Sequence, residues 1–452
     1  MDIITTYDFL LLPIYLLIFY LIVRRKSKKY KNIDLKKAFI IAFIVRMAGS
    51  VLYSSVMQYY YGYGDTFGYY EGGNVISFLL QKDIFSVKYL FASGNEIAAA
   101  AKSAGYENMI PVSMPNDSNV FIMKISAIFS FLSFNKYLII SLFFGFFSFI
   151  GIWKLFYVLN EINNKKHSGL LAFAVLYMPS AWFWGSGLNK ESICIGALGI
   201  SVYLIYKNFI KKNFSFRDML LLLGMLYVLS IIKNYITFLI FLSFLVVLVY
   251  YLISRIKNII FRTAVLFISF LLVYIILDNI NFNEIIQNFV DTAFKQIESF
   301  QNSYQAAQAE DETSRATFMI GDINPSLEGL VLNIPSVIGS CLFRPFPWES
   351  GKIIIFLSSL EATLTLLATL YILIKTFFFK FFKYVFNNNY ALFCFIFSLM
   401  FALLIGYTTF NFGTMVRYKI IFLPFYYFLL ISVYTRYQSA HERTIPSKKG
   451  PG

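Results

Sequence analysis

Charge is scarce in this sequence. Asp, Glu, Lys and Arg together make only 14% of the 452 residues, and there are two histidines. A soluble chain of this length surrounds its core with far more ionic side chains, so a soluble globular class is excluded. Cysteine is scarce too. Cys194, Cys341 and Cys394 stand far apart with no Cys-x-x-Cys spacing, which argues against a disulfide framework or a zinc site. The histidines, His167 and His441, fall on the expected cytoplasmic side and look inert. No Ser-His-Asp, Gly-x-Ser-x-Gly or His-Glu-x-x-His pattern occurs. There is no internal repeat and no soluble domain of ordinary size.

What the chain does hold is apolar surface: 58% hydrophobic residues, 20% aromatics and a mean hydropathy of +0.65. These predict an all-α polytopic membrane protein, with Phe and Tyr facing lipid and forming interfacial belts. Apolar runs at 8–23, 38–60, 137–158, 169–187, 192–210, 218–232, 236–254, 262–280, 353–374, 388–409 and 419–435 predict about eleven transmembrane helices, some short and paired. The first run, Phe9 to Val23, precedes Arg24-Arg25-Lys26, the reverse of a signal peptide's order, and is read as a retained helix.

The net charge of +15 is placed as a membrane protein places it, not as a nucleic-acid binder would. Basic residues collect in alternate connections: Arg24 to Lys37, Lys165-Lys166, Lys207 to Arg217, Arg255 to Arg262, Lys375 to Lys383, and the tail from Arg436 to Lys449. The other connections are neutral or acidic. The positive-inside rule then sets the N-terminus outside and the C-terminus in the cytoplasm. A transmembrane domain over 1–435 is followed by a cytoplasmic tail, 436–452, and carries two large outer loops, 61–136 and 279–352. In the first, Val120 to Leu132 is apolar but too short to cross. It is read as an interfacial helix with Lys124 and the serines wet, beside further membrane-parallel helices at Asn74 to Leu80 and Asn95 to Ala104. In the second, Gln296 to Ala316 favours a helix with a mobile tip, and no Gly-rich phosphate loop appears.

Several short stretches at the outer face can carry chemistry. Tyr59-Tyr60-Tyr61-Gly62-Tyr63-Gly64-Asp65-Thr66-Phe67-Gly68-Tyr69-Tyr70-Glu71 sets Asp65 where a membrane helix meets water. There it either abstracts a proton from an acceptor or simply caps the next helix, with Gly62 and Gly64 making the turn. Trp182, Trp184, Lys190 and Glu191 share an outer hairpin. Lys190 either holds a phosphate or pairs with Glu191, and the indoles line a pocket or act as belt anchors. Lys233, with only Asn234 and Tyr235 beside it, wants an anion or snorkels to headgroups. Arg344 and Glu349 sit in a proline-stiffened stretch, where Arg344 binds phosphate or is braced by Glu349. Arg417 and Lys419 open the last helix from the outside, against the positive-inside trend. Within the spans, Arg46 and Glu361 carry charge at a cost of about 2.5–3.5 kcal/mol for an Arg at the centre, so each needs a partner or a wet cavity. Lys190 or Lys233 is the expected partner of Glu361, and none is assigned to Arg46. One acid and five cations at one membrane face suit group transfer from an anionic lipid carrier, the base activating the acceptor while cations neutralise the leaving phosphate.

Gly64-Asp65-Thr66 with Tyr69-Tyr70 after an apolar helix resembles the catalytic loop of the glycosyltransferase C superfamily, integral membrane enzymes that use polyprenyl-phosphate sugars. The membrane-parallel helices, the paired hairpins and the closing Arg417-Tyr418 before a proline-containing helix are similar as well. The resemblance implies a glycosyltransferase-C-like fold in a bacterial-type inner membrane. It makes 61–136 the catalytic loop, Asp65 the general base and Arg417 a donor-phosphate contact. Lys190, Lys233, Arg344 and Lys419 are added to the phosphate set by position and charge, and Tyr69, Tyr70, Glu71, Trp182, Trp184, Glu349 and Glu361 to the acceptor or pocket set. Members often carry a second acid near the first, for which Glu71 is the candidate here. The implied donor is a polyprenyl-(di)phosphate sugar or glycan, and the acceptor a glycan, lipid or protein on the periplasmic face. No cofactor is assigned, and a divalent metal stays open. Two other readings are an O-antigen polymerase or ligase acting on lipid-linked glycans, and a transporter, flippase or envelope scaffold.

Overall fold

The computed structural model describes residues 3–82, 84–256, 327–409 and 411–444, with Ser299 alone between them, and its regular elements are helices. Seven described helices are long and apolar enough to cross a membrane, or eight if a bent pair counts as one crossing. This build fits an integral membrane protein. The expected span at 262–280, the helix at 296–316 and the end of the tail lie outside the described residues. The chain divides into two compact units, Met1–Thr237 and Phe238–Gly452.

In the first unit, α1 (Thr6–Ser27) and α2 (Ile33–Val56) run antiparallel, and α6 (Tyr137–Ile162) runs beside both. The buried carboxylate of Asp8 ties the starts of α1 and α6 together. It accepts the Thr5 N–H at 2.9 Å and the Leu138 N–H at 2.9 Å. Phe19 stacks on Phe146, with centroids 4.6 Å apart, and Trp153 donates to the Tyr30 hydroxyl at 2.6 Å. α9 (Lys190–Ile205) lies along α6 with backbone close to backbone: a Cβ on Gly151 would stand 2.3 Å from the Gly196 carbonyl oxygen. Small residues let membrane helices approach this closely.

Between α6 and α9 the expected span 169–187 is not one helix. α7 (Ser168–Ala172) widens into π-helical turns to Tyr177, Met178 is extended, and α8 (Pro179–Trp184) restarts at proline. Proline has no N–H to give and pushes the residue before it out of helical geometry, which explains the break. The segment climbs alongside α2: Tyr177 donates to the Ala38 carbonyl, and a Cβ on Gly49 would meet the Trp182 carbonyl oxygen. The carbonyls at the end of α8 and in the turn to α9 cannot turn to water inside a bilayer and need internal donors. Arg46 gives Nη1 to Ala181 O (2.8 Å) and Gly185 O (2.9 Å), Ser50 donates to Ser186 O (2.7 Å), and Ser192 to Gly187 O (2.8 Å). Arg46 thus gains the partners that its sequence context left open, with Ser148 Oγ a third at 3.3 Å.

Beyond α2 lie α3 (Asp65–Leu80), α4 (Gly94–Ser103) and α5 (Asp117–Ser133). α5 is shorter than a span, as its sequence predicts, but its serines are not wet. Ser126 and Ser130 are buried, because Gly72 and Gly73 let α3 press close. Lys124 is half-buried and donates to the Ala92 carbonyl at 2.7 Å. α10 (Phe216–Ser254) joins two expected spans but bends at Lys233, whose φ of −148° and ψ of 82° are not helical. Ser230 Oγ and Thr237 Oγ1 meet at 3.2 Å, whereas seven residues of straight helix rise about 10 Å.

In the second unit, α11 (Leu327–Phe343), α12 (Ile353–Thr376), α14 (Asn389–Thr408) and α16 (Leu423–Thr444) form the bundle. A short helix, α13 (Phe378–Phe386), links α12 to α14, and α15 (Phe412–Lys419) meets α16 at 60°. Tyr427 and Tyr426 bond Thr365 and Thr369 at 2.9 Å each, holding α16 to α12.

Candidate functional site

The backbone that presents Asp65 depends on two glycines. Gly62, at φ 70°, closes the end of α2 through its N–H to the Met57 carbonyl (2.9 Å), and Gly64 stands at φ 139°, where a side chain would be strained. Asp65 is therefore the first residue of α3, exposed, with its carboxylate at the positive end of a 16-residue helix. The turn chemistry proposed for Gly62 and Gly64 is present, and it leaves the Asp65 side chain open to solvent.

The next turns of α3 face inward. Thr66 Oγ1 and the Tyr137 hydroxyl bond at 2.9 Å. Tyr69 is buried and donates to Asn119 Oδ1 at 3.3 Å, while Tyr70 donates to the Asn135 carbonyl at 2.8 Å. Glu71, though exposed, is partly desolvated by its surroundings, which raises its carboxyl above the ordinary value. α5 is capped by Asn116, and its second residue, Ser118, accepts a hydrogen bond from Lys190 Nζ at 2.6 Å. Lys190 opens α9, whose cap, Asn189, accepts the Ser192 N–H at 2.8 Å and donates Nδ2 to Trp184 O at 2.9 Å. A contact path thus runs from α3 through Asn119 and Ser118 on α5 to Lys190 on α9.

The neighbouring charges are arranged differently from the expectation. Glu191 turns inward while Lys190 reaches Ser118. Glu191 is fully buried and accepts Lys233 Nζ at 2.7 Å, so the anion that Lys233 lacks in sequence comes from α9. Trp184 is buried against Tyr53, with ring centroids 6.1 Å apart, and Trp182 is half-buried beside Gly49.

The remaining candidates gather in the second unit. Arg344 Nε donates to both carboxylate oxygens of Glu349, at 2.9 and 3.1 Å, and Nη2 adds a further contact. Glu349 also accepts the Phe346 N–H at 2.8 Å, so the pair braces its own loop. Lys419 is buried and donates to the Arg344 carbonyl at 2.9 Å. Glu361 is buried on α12 and acts electrostatically on Lys419 and Tyr427. Arg417 is half-buried, its guanidinium 5.6 Å from the Tyr418 ring centroid.

Asp65, Tyr69, Lys190 and Lys233 thus belong to one connected set in the first unit, and Arg344, Glu349, Lys419 and Glu361 to another in the second. Sequence reasoning missed Asp8, Tyr137, Ser118 and Asn119. Of these, only the Asn116-Asp117-Ser118 start of α5 carried a local signal, as a helix N-cap. Among the described residues, no group of three or more His, Cys, Asp or Glu is arranged to hold a metal ion. Comparison with protein-family models, with curated proteins and with solved structures finds no match to this chain.

Proposed function

We propose that the chain is a membrane glycosyltransferase that moves a sugar from a polyprenyl-(di)phosphate donor to a glycan, lipid or protein acceptor at the outer face of a bacterial-type inner membrane. In this reading the chain has about eleven spans in a glycosyltransferase-C-like arrangement, the N-terminus outside and the C-terminus cytoplasmic. Asp65 takes the proton from the acceptor hydroxyl or amine as that atom attacks the anomeric carbon, and the bond from that carbon to the phosphate oxygen breaks. Lys190 bears on the departing phosphate. Tyr69, Tyr70 and Glu71 border the acceptor side.

The observation that carries this reading is the path from α3 through Asn119 and Ser118 to Lys190. It supports an exposed carboxylate and a lysine held at the same end of one rigid helical unit. The test is Asp65→Asn in protein reconstituted with a polyprenyl-linked sugar donor. Loss of the base should slow transfer by about 10²–10⁴-fold while stability falls by no more than about 1 kcal/mol, the scale of a carboxylate's contribution at a helix start. Full transfer by a folded Asp65→Asn protein removes Asp65 from the chemistry.

A second reading, translocation of a lipid-linked glycan, has its own support in the broken α7–α8 crossing and the bend of α10 at the buried Lys233–Glu191 pair. Interrupted helices and buried charge are features of transport sites. A vesicle assay that follows a labelled lipid-linked sugar between leaflets, with no acceptor present, separates the two.

A further inference from the structure

We propose that α13 is a membrane-surface helix that gathers anionic phospholipid headgroups through Lys375, Lys380 and Lys383. Its sequence, FFKFFKYVF, divides the helix surface into three faces. Phe381 and Val385, one turn apart, are buried against the bundle. Phe378, Phe379 and Phe386 turn away from it and are exposed, Phe379 to 85%. Lys380 and Lys383 occupy the third side, also exposed. Phe377, at φ 56°, breaks the chain out of α12 just before this helix and is itself 69% exposed.

A run of bare phenylalanines is unfavourable in water. It sits comfortably at the acyl boundary of a bilayer, where an amphipathic helix buries its apolar face and keeps its lysines at headgroup level. The occupant is identified by charge. No aspartate or glutamate occurs between Glu361 and Glu442, so nothing in that stretch of chain neutralises these lysines. Lys375 lies in the last turn of α12, two residues before Phe377, and is exposed, and Arg436 reaches the Asn387 carbonyl at 3.1 Å, just past the end of α13. Four cations therefore surround one short helix. A zwitterionic headgroup satisfies the phenylalanines alone, whereas phosphatidylglycerol satisfies the lysines as well.

The test uses the full chain in detergent micelles, titrated with phosphatidylglycerol or phosphatidylcholine while thermal unfolding is followed. The wild type should bind phosphatidylglycerol preferentially. Raising salt from about 0.15 to 1 M should shrink that preference, because the screening length falls from about 8 to 3 Å. K380Q and K383Q should each weaken phosphatidylglycerol binding about fivefold, and the double variant about 30-fold, since each surface lysine contributes about 1 kcal/mol. Equal binding of the two lipids by the wild type overturns the proposal. So does a preference that survives 1 M salt, or one that K380Q/K383Q leaves unchanged. The salt arm and the single variants keep the test decisive if the double variant does not fold.

Discussion

Removing one member of the Lys233–Glu191 pair should destabilise the protein far more than removing both. At 2.7 Å the two charges attract by about 332/(20 × 2.7), or about 6 kcal/mol at an effective dielectric of 20. Their side chains are only 5% and 0% exposed, so each ion has also lost hydration worth several kcal/mol, and the pair as a whole adds little. Glu191→Leu strands a buried ammonium at the bend of α10, and Lys233→Met strands a buried carboxylate in the first turn of α9. Each should cost about 3–5 kcal/mol, while the double variant should lie within about 1 kcal/mol of wild type. Unfolding in detergent followed by circular dichroism measures all three. If the double variant loses as much as the two singles together, the residues do not act as a pair and the geometry given for them is wrong. If it folds normally yet abolishes transfer in the reconstituted assay, Lys233 has a role beyond bracing.

Three further outcomes follow from the packing and the caps. Gly199→Ala should destabilise by about 1–3 kcal/mol, since its Cβ would stand 2.0 Å from the Gly151 carbonyl oxygen. Gly224→Ala, with nothing within 4 Å of the new carbon, should be neutral or stabilising by up to about 1 kcal/mol, and thermal unfolding of the two tells them apart. The Ser93 backbone and side-chain bonds hold the Glu96 carboxyl below its ordinary value, so the cap of α4 is fully formed above the unfolded pKa and is lost as pH falls through the lower folded one. Protection factors over 94–103, corrected for the intrinsic pH dependence of amide exchange, should therefore fall as pH drops below the ordinary Glu range, and Glu96→Gln should show no such step. Arg344→Lys keeps the charge but loses the planar fork onto Glu349, and it should lower stability by about 1–2 kcal/mol, less than the loss of two fully buried charge-assisted bonds because both groups are about one-fifth exposed.

The spans of the fold were legible because hydropathy is a property of each stretch on its own. α1, α2, α6, α9, α12 and α14 all stand where their apolar runs predict them. Where several elements share the work, the sequence was less informative. Run 169–187 is apolar enough to suggest a crossing, yet Pro179 and the glycines after it break the helix. The break is tolerable only because Arg46 and Ser50 on α2 supply donors more than a hundred residues away. The serines of α5 look wet by composition, but Gly72 and Gly73 on α3 bury them. Lys233 looked short of an anion because Glu191 lies 42 residues earlier in the chain. Each error is one of missing neighbours rather than of residue chemistry.

The same accounting bears on where function is to be sought. In a bilayer every backbone carbonyl that leaves a helix must find a donor inside the protein. Arg46, Ser50, Asn189 and Ser192 all spend hydrogen bonds on the carbonyls of 181–187, so their polarity in an apolar interior is explained by the break itself. Glu191 and Lys233 are likewise used on each other, and Glu349 on Arg344 and Phe346. Asp65 is of another kind. The turn before it is made by Gly62 and Gly64, and it stands exposed at the head of α3. A carboxylate exposed at the head of a helix meets a substrate where it stands, whereas the buried charges of this unit are already engaged inside it. That is why the proposed transfer rests on Asp65 rather than on the deeper and more conspicuous Arg46.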